Sequence, residues 1–101
     1  MAANQRRPFL LAYDIADPKR LVRVHRTVRR EGIPLQYSVF LLVATAAELD
    51  ALLDRLERII RPAADDVRVY PLPLRIDAAY YGRQWLPPEA DLPLDVIVDP
   101  F

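Results

Sequence analysis

The sequence predicts an α+β sandwich, one sheet with both helices on a single face, and three observations carry that expectation. Two stretches have helical periodicity, and each opens on its own capping signal, Asp17-Pro18 for the first and Thr45 with Glu48 for the second. β-prone runs stand before, between and after them, at 8–13, 33–44 and 67–70. The order strand, helix, strand or strand pair, helix, strand closes into a ferredoxin-like βαββαβ arrangement.

Pro8 to Tyr13 is apolar on both alternating faces, as a central strand covered on two sides should be. Asp17 then reads as a helix N-cap, with Pro18 at the first helical position. On a helical wheel Leu21, Val24, His25 and Val28 share one face, while Lys19, Arg23, Arg26 and Arg30 fall within about 60° of one another on the opposite one. Gly32 is placed to close this helix as a left-handed C-cap. Residues 33–44 contain no good hairpin turn, so they form one kinked strand or two short ones. The second helix should bury Leu49, Leu52, Leu53, Leu56, Ile59 and Ile60 and carry the pairs Asp54–Arg58 and Glu57–Arg61 on its outer face.

Pro62 and Asp65-Asp66 end that helix and lead to Val67–Tyr70, a strand of alternating character. Beyond Tyr70 six prolines punctuate the chain, Leu74–Ile76 has the makings of a short edge strand, and residues 94–98 are β-prone. The expected organisation is therefore an N-terminal extension (1–7), the sandwich (8–80), and a proline-rich tail (81–101). The strand at 94–98 would join its own sheet or a partner's. Trp85 and Tyr80-Tyr81 are expected to anchor that tail by packing.

With 101 residues, 52% of them hydrophobic and 28% charged, the chain suits one compact domain that gains from a partner. Pairing two sheets face to face in a homodimer would cover the face the helices leave open. There is no cysteine, which excludes disulfides and thiolate metal sites and suits a cytoplasmic location. The apolar run after the basic N-terminus is too short for a signal peptide or a membrane span.

The formal net charge of zero conceals a strong asymmetry. Residues 1–33 hold eight Lys/Arg against three acids, and the remainder holds six against eleven. Such a split gives one face attractive to polyanions on a neutral molecule. Within it, Asp14 ends a buried strand and faces the stripe of Lys19, Arg23, Arg26 and Arg30, a combination suited to a metal ion and phosphates. No carboxylate shares that stripe at i+4, and an unpaired basic row can follow a phosphate backbone, with Arg20 and Arg29 flanking it. The implied contact is with the backbone, not the bases. The lone His25 reads as a hydrogen-bonded core residue, and with two glycines the chain has no glycine-rich phosphate loop.

Three blocks in order, Tyr13-Asp14-Ile15-x-Asp17-x-Lys19-Arg20-x-x-Arg23-Val24, then Gly32 with Gln36-Tyr37-Ser38-Val39-Phe40, then Val67-Arg68-Val69-Tyr70-Pro71-Leu72, resemble the Cas-two family of CRISPR-associated proteins. The resemblance covers about residues 8–76. It implies a ferredoxin-like homodimer whose first-strand aspartates face each other across a two-fold axis. It also implies a metal-dependent endonuclease on RNA or DNA, and a spacer-acquisition subunit that grips duplex DNA and bridges dimers of the CRISPR integrase. Asp14 matches the family's metal-binding, catalytic aspartate, Tyr13 its neighbour, Arg23 a basic position of the first helix, and Phe40 the aromatic of the second block. Two copies of Asp14 would meet the minimum for Mg²⁺ (or Mn²⁺), which takes one or two carboxylates plus waters and phosphates. The chain departs from the family at Pro34, where a basic residue is usual, and at Leu41, where glutamate is frequent. A stand-alone toxin-type endoribonuclease and a non-catalytic ferredoxin-like ligand-binding or dimerisation module are the rival readings.

Overall fold

The computed structural model describes residues 4–80 and 95–100. Its elements are β1 (Arg7–Asp14), α1 (Pro18–Arg29), β2 (Gly32–Gln36), β3 (Val39–Ala44), α2 (Ala46–Glu57), β4 (Asp66–Pro71), β5 (Arg75–Tyr80) and β6 (Asp95–Pro100). The first four strands form one sheet in the order β2-β3-β1-β4, antiparallel at every pairing, which is the ferredoxin-like arrangement expected.

β1 is central, and its alternation sorts its side chains. Leu11 and Tyr13 turn toward the helices and are buried, whereas Asp14 stands exposed on the other face. Phe40 and Leu42 of β3 join Leu11 and Tyr13 in a core closed by Val24 and Val28 of α1 and Leu52 and Leu56 of α2. Both predicted caps form. Asp17 Oδ2 accepts from the Arg20 N–H at 2.9 Å. Thr45 and Glu48 complete a reciprocal capping box, with the Thr45 N–H donating to Glu48 Oε1 at 2.8 Å.

The structure decides one open alternative and corrects two expectations. The segment 33–44, left as one kinked strand or two short ones, forms the second, with β2 and β3 reversing at Tyr37-Ser38. The turn has little signature of its own because tertiary contacts hold it. The Tyr37 ring stacks on His25 at 4.2 Å, and the Tyr37 carbonyl accepts from the Tyr13 hydroxyl at 2.8 Å. Gly32 is no C-cap; α1 closes at Arg30 in ordinary right-handed conformation, and Gly32 begins β2. A Cβ there would lie 2.6 Å from Leu42 Cδ2 and 3.1 Å from the Leu41 carbonyl oxygen, so glycine is needed for close approach. Neither Asp54–Arg58 nor Glu57–Arg61 forms an ion pair.

β5 and β6 pair in parallel as a separate two-stranded sheet, Arg75 opposite Asp95 through Tyr80 opposite Pro100. The β-prone C-terminal stretch thus pairs within its own chain, with the segment expected to be an edge strand. Trp85 and Tyr81 lie outside the described residues. Among those described, no helix is long and apolar enough to cross a membrane. Gly32→Ala should destabilise the fold by about 1–3 kcal/mol, the usual cost of overpacking a close contact, read as a lower urea midpoint at unchanged slope.

Candidate metal centre and nucleic-acid surface

Asp14 is the last residue of β1 and sits directly opposite Asp66, the first residue of β4. Directly opposed residues share a face with Cβ atoms about 4.5–5.5 Å apart, so two carboxylates meet at this strand tip. Asp66 is partly neutralised by Arg68 of the same strand, whose Nε lies 2.6 Å from Asp66 Oδ2. Like charges in this position repel, and a cation between them relieves the repulsion. Asp66 escaped the sequence reading, although the alternation Asp66, Arg68, Tyr70 along β4 held the signal.

The loop joining this tip to α1 is pinned by Asp65, whose side chain is fully covered. The Ala16 N–H donates to Asp65 Oδ1 at 2.9 Å and the Arg61 N–H to Oδ2 at 2.8 Å. Arg20 adds a two-pronged contact, Nε to Oδ2 at 2.8 Å and Nη2 to Oδ1 at 3.1 Å. The Arg20 hydrogen bonds, followed by the Arg61 N–H, hold the Asp65 carboxyl well below the usual carboxylate range despite its burial. Arg20 was expected to contact nucleic acid; its guanidinium instead turns inward onto Asp65 and leaves the basic stripe.

Lys19, Arg23, Arg26 and Arg30 are exposed along α1, and none has an ion-pair partner among the described residues. Arg29 is exposed beside them.

Tyr13 and Phe40 lie beneath the surface and act as framework. Phe40 is fully buried and stacks with Tyr13 at 6.3 Å. The Tyr13 hydroxyl donates to the Tyr37 carbonyl and lies 2.9 Å from His25 Nδ1, so it accepts from an Nδ1–H. Burial pushes the Tyr13 hydroxyl pKa upward, which keeps it a donor. His25 is half-buried and hydrogen-bonded, in the structural role expected of it.

Residues 8–77 match the family model for CRISPR associated protein Cas2. The chain belongs to this family. It is 43% identical over 79 residues to CRISPR-associated endoribonuclease Cas2 1 of Nitrosomonas europaea, an alignment covering 78% of this chain and 75% of that one. The crystal structure of Streptococcus pyogenes Cas2 at pH 6.5 superposes with a TM-score of 0.61 at 34% identity, covering 65% of this chain and 86% of the other. A further Cas2 crystal structure gives 0.71 at 30% identity, over 84% of this chain and 97% of that one. The family-model match ends at residue 77, before β6.

Because the folded-state pKa of Asp65 is depressed, its stabilisation is complete above the unfolded value of 3.8 and is lost as pH falls below it. Asp65→Asn should therefore lower the melting temperature at neutral pH and flatten the loss of stability below about pH 4, checked by thermal melts across that range. An unchanged acid limb would remove Asp65 as its source.

Proposed function

We propose that this chain is a homodimeric CRISPR spacer-acquisition subunit that binds duplex DNA along α1, bridges dimers of the integrase, and hydrolyses phosphodiesters with Mg²⁺ (or Mn²⁺) at paired copies of Asp14. The observation that carries this reading is the exposed Asp14 carboxylate at a strand tip pinned through Asp65, shortly before a helix whose basic row has no ion-pair partner among the described residues. The donor set fits a hard cation. Asp14 offers an exposed carboxylate, Asp66 stands opposite it, and no group of three or more His, Cys, Asp or Glu among the described residues could hold an ion alone. The remaining ligands would come from the second chain's Asp14, water and the phosphate itself. A divalent ion supplies Lewis-acid stabilisation of charge developing on the phosphoryl oxygens. The protein's part is to hold Asp14 through the Asp65 clamp and to grip the duplex backbone along α1.

The face of the sheet away from the helices carries half-buried Leu10, Ala12 and Val39 in register with one another and with buried Leu41, flanked by exposed Tyr70. Apolar rows of this kind support pairing with a second sheet. Catalogued relatives are called endoribonucleases, which favours RNA for the cleavage step and sustains a stand-alone endoribonuclease as the second reading. Cleavage of matched RNA and DNA strands, together with co-purification of the integrase, separates the two.

Asp14→Asn should abolish calorimetric Mn²⁺ binding and metal-dependent cleavage while leaving the fold intact, because the side chain is exposed. Undiminished cleavage would place the chemistry elsewhere. Lys19→Ala with Arg26→Ala should reduce the slope of log affinity for duplex DNA against log salt by roughly 1–2 units, since each phosphate contact contributes about 0.9. An unaltered slope would take the outer half of α1 out of the interface.

A further inference from the structure

α1 and α2 pack side by side on the sheet, and between them runs an open groove of about 380 Å³. Its walls carry four guanidinium groups, Arg23 and Arg30 from α1 with Arg55 and Arg58 from the end of α2 and its cap, against one carboxylate, Glu31. We infer that this groove extends the α1 surface onto α2 and seats the phosphate backbone of a nucleic-acid duplex, with α2 supplying half of its charge.

Three observations carry the assignment. The first is charge. Arg23, Arg30 and Arg58 have no ion-pair partner among the described residues, and Arg58 is not drawn off by Asp54 as the helical spacing suggested. Guanidinium forks match phosphate oxygens and stay protonated at any working pH. The second is shape. Arg23 and Arg30 are seven residues apart on one helix, about 10 Å, which is long enough for more than one backbone phosphate. Among the described residues no aromatic side chain lines the groove, so they offer no stacking surface of the kind a free nucleotide's base would use. The third is the Arg55–Glu31 pair, Nη2 to Oε1 at 2.6 Å with both side chains about half exposed. In that setting the pair is weak, and an arriving phosphate can replace the Glu31 carboxylate on Arg55. Glu31 thus engages Arg55 within the groove until the backbone displaces it.

The placement separates gripping from cutting. The groove lies on the helix side of the sheet, whereas Asp14 stands on the opposite face. The site rests on the proposal that the chain binds nucleic acid, and deepens it by adding α2.

The test uses the full chain and a fluorescently labelled duplex DNA of mixed sequence, with binding followed by anisotropy over a series of salt concentrations. Arg55→Gln with Arg58→Gln should lower the salt slope by about 1.8 units, two contacts at about 0.9 each, and leave the Mn²⁺ isotherm unchanged. Glu31→Gln should raise affinity by up to about fivefold, the release of one weak exposed ion pair. If the wild-type chain binds duplex and the double variant keeps its slope, while Lys19→Ala with Arg26→Ala loses slope, the groove is overturned and α1 alone is the interface. If the wild-type chain fails to bind duplex even at the lowest salt, both the groove and the nucleic-acid reading fall.

Discussion

Asp65 lies under the β1–α1 loop with both carboxylate oxygens engaged, by the Ala16 and Arg61 N–H groups and by the two prongs of Arg20. An ionised carboxylate without solvent is tolerated only when its lone pairs are filled, and removing one partner leaves a charge that nothing compensates. The contact ties three parts of the chain together: the loop after β1, the first turn of α1, and the turn leading from α2 into β4. It also sets the roll of α1. With Arg20 drawn toward Asp65 and Val24 and Val28 held in the core, Lys19, Arg23, Arg26 and Arg30 can only face outward. The position of Asp14 and the direction of the basic row follow from one buried ion pair.

The alternation of the central strand then divides the molecule. Every second residue of β1 enters the core beneath the helices, so the intervening ones, ending at Asp14, belong to the other face. Polyanion-attracting charge gathers along α1, and the Asp14 and Asp66 carboxylates meet at a strand tip on the far side. A single surface carrying both would neutralise itself, because Asp14 and Asp66 would pair with the arginines. Separation by the thickness of the sheet preserves each potential.

Much of this was legible from local chemistry. Proline after Asp17, Thr45 three residues before Glu48, and the apolar run before Asp14 each act through neighbours in sequence, and each behaves in the structure as its chemistry requires. What escaped depends on partners far along the chain. The Arg20–Asp65 contact spans 45 residues, so Arg20 looked like any other member of the stripe. The hairpin turn at Tyr37 is held by Tyr13 and His25, not by turn residues of its own. Gly32 carries the usual mark of a helix end, yet its reason is steric, the nearness of Leu42 across the β2–β3 pair. Arg58 sits at an attractive spacing from Asp54, but both are exposed, where a lone ion pair is worth too little to fix either side chain.

The strand tip has a further consequence for assembly. Arg68 offsets Asp66, so the tip of one chain carries about one uncompensated negative charge, that of Asp14. A single exposed carboxylate is a weak site for Mg²⁺, whereas two such tips brought together form a better site and also repel. In the proposed dimer the cation therefore contributes to holding the protomers together, and the protomers contribute to holding the cation. Linkage requires the two effects to be equal: whatever factor dimerisation adds to metal affinity, the metal adds to dimer affinity. Arg68 keeps that coupling moderate. Without it each tip would bring two charges to the interface, and self-association in the absence of metal would meet a correspondingly larger repulsion.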